Sequence, residues 1–267
     1  MELQGRLEEI QRSGLGLAAI SYDPVPVLAD FARRRSITFP LLSDAGSATI
    51  KAYGLLNTTV APTNALQYGI PFPGTFIIDR QGIVTSRIFE PQYQERDTVS
   101  SVMVRLGARL DVPGTRVAAP HLQVTTFATD QVVAPGTHFS LVIDVVPEKG
   151  VHVYAPGVTG YKPIALRIAP QPWIVVRQAQ YPKASDYFFK PLKEHVAVFD
   201  GPFRIIQDLT IDASREAEAA LKDRPQLAIT ASLDYQACDD RVCFNPQSAP
   251  LSWTVRLRTL DRERVKP

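Results

Sequence analysis

Cysteine is scarce in this sequence: two among 267 residues, and none before position 238. That excludes a disulfide-dense scaffold and a four-cysteine zinc site. The four histidines, His121, His138, His152 and His195, stand far apart and show no ligand spacing among themselves. Charge of one sign is lacking too. Lys and Arg number 29 against 27 Asp and Glu, a net +2 that gives no case for nucleic acid or a membrane surface as partner. No stretch approaches the roughly 18 consecutive apolar residues of a membrane helix, so direct membrane insertion is not expected. Internal repeats and low-complexity segments are absent. The opening MELQGRLEEI spaces Leu3, Leu7 and Ile10 at helical intervals among charges. A signal peptide reads differently, as a basic stretch followed by an apolar block. The expectation is a cytoplasmic chain, or one given without its native beginning.

The apolar share, 45%, can fill a sizeable core, and the length suits two ordinary domains or one large one. Residues 1–110 alternate helix and strand patterns. Leu15 to Ser21 is a short apolar run fit for a buried strand. Asp23-Pro24 predicts a helix start, with Asp23 as N-cap and Val27, Leu28, Phe31 and Ala32 on one face. Phe39 to Leu42 reads as a strand and Ala48 to Tyr53 as a short helix. Thr75 to Ile78 and Ile83 to Phe89 read as strands joined by the turn Asp79-Arg80-Gln81-Gly82. Val99, Val102, Met103, Leu106 and Leu110 mark a closing helix. Such an order predicts an α/β sandwich.

Residues 111–122, with two prolines and a glycine, read as a linker. From 123 to 258 the period changes to two. Phe139, Leu141, Ile143 and Val145 alternate with other residues, as do Leu227, Ile229, Ala231, Leu233 and Tyr235, and again Leu251, Trp253, Val255 and Leu257. Many short alternating strands predict an all-β antiparallel sandwich, with only Ser214 to Leu221 helical. Residues 259–267 read as a charged tail.

The two thiols, Cys238 and Cys243, lie in YQACDDRVCF, directly after a strand pattern. Four intervening residues let the chain double back and bring the two Cβ atoms to disulfide distance. So small a ring contributes on the order of 2 kcal/mol in the chain-entropy model. Three readings stay open on spacing alone: an inert bridge or two buried thiols, a pair active in thiol–disulfide exchange, and a metal site. Asp239 and Asp240 would raise a neighbouring thiol pKa and Arg241 would lower it, which favours neutral thiols at rest. His152 reads as a packed or hydrogen-bonded structural histidine, with a redox role as the alternative.

The stretch YQACDDRVCFNP followed by PLS resembles the amino-terminal periplasmic domain of the thiol:disulfide interchange protein DsbD, and GVHVYAPGVTGYKP (Gly150 to Pro163) resembles a second segment of that domain. The resemblance implies an immunoglobulin-like sandwich. Its redox pair would be Cys238 and Cys243, exchanging disulfides with thioredoxin-fold redox proteins in an extracytoplasmic, periplasmic space, with no organic cofactor or metal. It also implies an aromatic cap over the pair, for which the matching region Asp186 to Glu194 offers Phe188 or Phe189. The same aromatics could equally pack on the sandwich end.

The first 110 residues resemble the peroxiredoxin (AhpC/TSA-type) branch of the thioredoxin superfamily, through LGLAAISYDPVPVLADFARRRSITFPLLSD, AYGLL and PFPGTFIIDRQGIV. The implied fold is thioredoxin-like and incomplete at its N-terminus, with Pro73 as candidate cis-proline. That family's attacking cysteine would fall upstream of Met1, so these residues hold no thiol nucleophile for peroxide reduction. The leading expectation is a thiol–disulfide oxidoreductase, an electron relay working through Cys238 and Cys243. One alternative is a non-catalytic module that binds thioredoxin-fold partners and holds a structural disulfide. The other is a peroxiredoxin-type antioxidant whose peroxidatic cysteine lies upstream. Nothing in the sequence sets an oligomeric state.

Overall fold

The computed structural model describes residues 2–57, 60–61, 63–64, 69–89, 95–189 and 193–259. The chain divides into two compact units, Met1–Val99 and Ser100–Pro267. Among the described residues no helix is long and apolar enough to cross a membrane.

The first unit is α/β. Strands Ala19–Ser21 and Leu41–Ser43 pair in parallel, and the helix Val25–Arg35 connects them. That helix begins one residue later than the Asp-Pro signal indicates. Pro24 is its N-cap, and the Asp23 carboxylate instead accepts a 2.6 Å hydrogen bond from the Ser21 hydroxyl. Its basic last turn, Arg33 to Arg35, suits the negative end of the helix dipole. The short helix Ala48–Ala52 is held by Asp44, whose carboxylate accepts from the backbone N–H of Thr49 and Ile50. Strands Gly74–Ile78 and Val84–Phe89 form the expected hairpin. In its turn the Asp79 carboxylate accepts from the N–H of Gln81 and Ile83, and Gly82 takes a φ of +82°, a conformation cheap only for glycine.

The second unit is β-rich, and period-two burial explains how it assembles. One sheet runs in the order Ile174–Val176, Phe203–Ile211, Thr137–Pro147, Leu122–Ala128, Thr115–Ala119. A second runs Ala165–Ile168, Gln226–Tyr235, Gln247–Leu257, Val132–Val133. Leu141, Ile143 and Val145 from the first share one core with Ile229, Leu233, Leu251 and Val255 from the second, making a β-sandwich. The only helix described after the closing segment Val99–Arg105 is Arg215–Leu221, capped by Ser214, whose hydroxyl accepts from the Ala217 N–H. Residues 111–122 differ from their reading as a linker. Thr115–Ala119 is a strand, paired antiparallel with Leu122–Ala128. The flanking Pro113, Gly114 and Pro120 masked an alternation in which Val117 and Ala119 pack on the core. The turn that joins the two strands places His121 at a φ of +66°.

A third sheet positions the cysteines. Its order is Ser185–Phe189, Glu194–Phe199, His152–Tyr154, Ala237–Cys238. Val153, Phe199 and Ala237 face the common core. Their alternate neighbours therefore project from the other face.

Candidate functional site

On that outer face Cys238 is the register partner of His152, Tyr154 of Val198, and Val196 of Tyr187. Side chains directly opposite in an antiparallel pair point to the same side. These residues accordingly cluster: Cys238, Tyr154, Val196 and Val198 are buried together, with Val158, Tyr161 and Tyr187 packed against them. Cys238 and Cys243 form a disulfide with Cα atoms 4.0 Å apart. The two sulfurs sit in unlike surroundings. Cys238 is 1% exposed, whereas Cys243 lies on an exposed turn next to exposed Val242.

Asp239 builds that turn. Its carboxylate accepts from the N–H of Arg241 at 2.7 Å and of Val242 at 2.8 Å, and its own N–H donates to the Val242 carbonyl at 2.9 Å. These backbone N–H groups hold the Asp239 carboxyl below the ordinary carboxylate range. Beyond the turn, the Phe244 N–H donates to the Ala237 carbonyl, the Gln236 amide donates to the Phe244 carbonyl, and the Phe244 ring stacks on His121 with centroids 3.8 Å apart.

Tyrosines surround the sulfurs. The Tyr154 hydroxyl is 3.6 Å from Cys243 Sγ, and its ring stacks on Tyr161 at 4.2 Å. Burial raises the Tyr154 phenol above its ordinary value. Tyr161 donates to Glu194, an interaction that pushes its phenol up to about 12. Tyr187 donates to Asp240 at 2.8 Å, which raises the Tyr187 phenol as well. Of the two aspartates expected to act on the thiols, one is thus turned into backbone and the other is engaged by a tyrosine. His152 is buried between Tyr187, at 4.5 Å, and Tyr154, at 5.5 Å between ring centroids. Its Nε2 has no hydrogen-bond partner. Among the described residues no group of three or more His, Cys, Asp or Glu could hold a metal ion.

The structure puts the two cap candidates on opposite faces. Alternation along Ser185–Phe189 sends Tyr187 toward Cys238 and Phe188 to the opposite face. There Phe188 is 46% exposed and tilts against His195, its register partner, at 5.0 Å. Phe189 shares the Tyr187 side, its ring 6.5 Å from that of Tyr187. The aromatics brought to the pair are therefore Tyr154, Tyr161 and Tyr187. Residues 190–192 of the supposed cap region lie outside the described residues. The signal for the tyrosines was present in the sequence: His152 and Tyr154 stand two apart on a strand whose intervening residue is an apolar valine. Pro73 is corrected as well. The Phe72–Pro73 bond is trans, as is every described peptide bond. The adjacent backbone is held by the Phe72 N–H on the Leu55 carbonyl and by a bridge between Leu56 and Pro71. Nothing there opposes the intrinsic trans preference.

The molecule thus joins an α/β unit to a β-sandwich unit that carries a disulfide between one buried and one exposed cysteine. Residues 1–87 match the AhpC/TSA family, and residues 121–252 match the N-terminal domain of the thiol:disulfide interchange protein DsbD. Alkyl hydroperoxide reductase E of Mycobacterium tuberculosis is 36% identical over 85 residues, 31% of this chain and 50% of that protein. The chain spans half the length of the curated relative it matches. Among solved structures, the N-terminal periplasmic domain of ScsB from Proteus mirabilis is similar at 15% identity and a TM-score of 0.36, covering 51% of this chain and 49% of that one. The reduced N-terminal domain of DsbD from Neisseria meningitidis is similar at 14% identity and a TM-score of 0.29, covering 44% of this chain and 81% of that one.

Proposed function

We propose that this chain is a thiol–disulfide oxidoreductase, relaying electrons through Cys238 and Cys243 to or from thioredoxin-fold redox proteins. The supporting observation is the asymmetry of the pair: Cys243 is an exposed residue on a turn, while Cys238 is buried beside tyrosines. A partner thiolate reaches Cys243 Sγ. The bond between the two cysteines breaks, its electron pair leaves on Cys238 Sγ, and a mixed disulfide with Cys243 forms. The partner's second thiol then attacks its own sulfur in that mixed disulfide and expels Cys243. Two electrons and two protons pass from the partner dithiol to the pair, and the same steps run backwards toward an oxidised partner. The match of residues 121–252 supports an immunoglobulin-like sandwich and a periplasmic setting for this chemistry.

The test is trapping. Offered a thioredoxin-fold protein whose one remaining active-site cysteine carries a thionitrobenzoate leaving group, Cys238→Ser is expected to attack through Cys243, release thionitrobenzoate and accumulate the mixed disulfide, and Cys243→Ser is not. The wild-type bond is expected to open at a potential above roughly −300 mV, where accessible exchanging disulfides lie. A bond that resists reduction in the folded protein, with no trapped species from either variant, would overturn the reading.

A further inference from the structure

His152 is a buried titratable side chain at this site that the exchange steps above leave without a task. It is 4% exposed, and its Nε2 is buried without a partner. A buried polar nitrogen left unsatisfied is costly unless another state of the protein employs it. The register fixes what is within reach. His152 stands directly across from Cys238, on the face where both side chains project.

Exchange creates a need at that position. When Cys243 is attacked, the electron pair leaves on the sulfur of Cys238, a residue 1% exposed. An unpaired thiolate in an apolar pocket is strongly disfavoured, so the step requires a donor beside the leaving sulfur. Tyr161 and Tyr187 already donate their hydroxyls to Glu194 and Asp240. The Tyr154 hydroxyl lies at the other sulfur.

We propose that His152 is the hydrogen-bond donor to the Cys238 sulfur as it leaves: the imidazole, idle in the disulfide form, engages the thiolate once the bond opens. The inference rests on the exchange reading above. The atoms balance within that scheme. The S–S electron pair passes to Cys238, the imidazole N–H stabilises the charge, and the proton that finally rests on Cys238 comes from the partner's second thiol by way of solvent or the imidazole. The groups facing His152 are Tyr154 on its own strand, Tyr187 on the strand Ser185–Phe189, Cys238 opposite, and the carboxylates of Asp239, Asp240 and Asp200. Burial lowers the His152 pKa while those three carboxylates oppose the shift. The ring is thus neutral in the resting protein near pH 7 and is able to donate without carrying a buried charge.

The experiment uses the full chain. In a Cys243→Ser background the Cys238 thiolate is titrated by its ultraviolet absorbance, with His152 intact, as His152→Leu and as His152→Gln. Loss of the donor in His152→Leu is expected to raise the Cys238 pKa by about one unit or more, with His152→Gln restoring much of the difference through its amide N–H. Wild-type protein supplies a measurement free of variants: the imidazole ¹⁵N resonances of His152 are expected to move on reduction of the disulfide. Equal Cys238 titrations in folded His152→Leu and its parent, or His152 resonances indifferent to reduction, would overturn the proposal. Failure of the exchange reading shows differently, as a wild-type bond that partners do not open, and leaves the thiolate titration interpretable.

Discussion

Tyr154 and Asp239 carry separable parts of the site. Tyr154 contributes a hydroxyl at 3.6 Å from Cys243 Sγ and a ring stacked on Tyr161. The hydroxyl is a weak contact, so Tyr154→Phe is expected to change the rate of reduction by dithiothreitol by no more than about fivefold, the equivalent of roughly 1 kcal/mol. Tyr154→Ala also removes the ring over the sulfurs and is expected to quicken reduction well beyond Tyr154→Phe. Equal rates for the two variants would show that the ring shields nothing. Asp239 acts through backbone. Its carboxyl pKa is held down in the folded protein, so the stabilisation it gives is present above the usual carboxylate pKa and fades as pH falls through the lowered folded value. The difference in melting temperature between wild type and Asp239→Ala is therefore expected to be largest above about pH 5 and to vanish on acidification. A difference that persists unchanged in acid would contradict the assignment.

At the scale of elements, the strands near the pair read from sequence because their period is strict. Leu233 is fully buried on the strand Gln226–Tyr235, as its alternation predicts. Leu233→Ala is expected to cost about 2–5 kcal/mol in denaturant unfolding, the range for a large core side chain cut to a methyl. Elements with weaker signals went astray. Thr115–Ala119 hid behind prolines because its partner, Leu122–Ala128, lies across a turn of two residues that need take no glycine. The cap candidates Phe188 and Phe189 could not be told apart in sequence for a different reason. Three consecutive aromatics satisfy the same composition in either phase, and only pairing with Glu194–Phe199 decides which phase faces Cys238. The trans geometry at Pro73 was likewise illegible, since isomer choice depends on what the fold presses against the ring rather than on the proline itself.

For the whole molecule, the disulfide is peripheral to stability. The sandwich core of Leu141, Ile205, Ile229 and their neighbours does not include either cysteine. The bond closes a ring across a sequence separation of only 5. Reduction is expected to lower the stability of the second unit by about 2 kcal/mol and to leave its far-ultraviolet circular dichroism unchanged. Loss of the β signal on reduction would instead mark the bond as a structural staple. The division into an α/β part and a β part was legible because the apolar period switches along the chain. The asymmetry of the two cysteines was not, because it arises from a third sheet that draws on three separate stretches of the chain: His152–Tyr154, the consecutive strands Ser185–Phe189 and Glu194–Phe199, and Ala237–Cys238.

The anchoring of Phe244 has a last consequence. The turn is clamped at both ends, by Cys238 in its strand and by Phe244 on His121 and on the Ala237 carbonyl. Once the bond opens, Cys243 stays on a tether of a few residues and keeps a high effective concentration at its mate. A visitor that lingers without a second thiol is therefore ejected by recapture, and only a dithiol completes the transfer. Selection among partners would in this way follow from tether length alone, with no recognition of their surface.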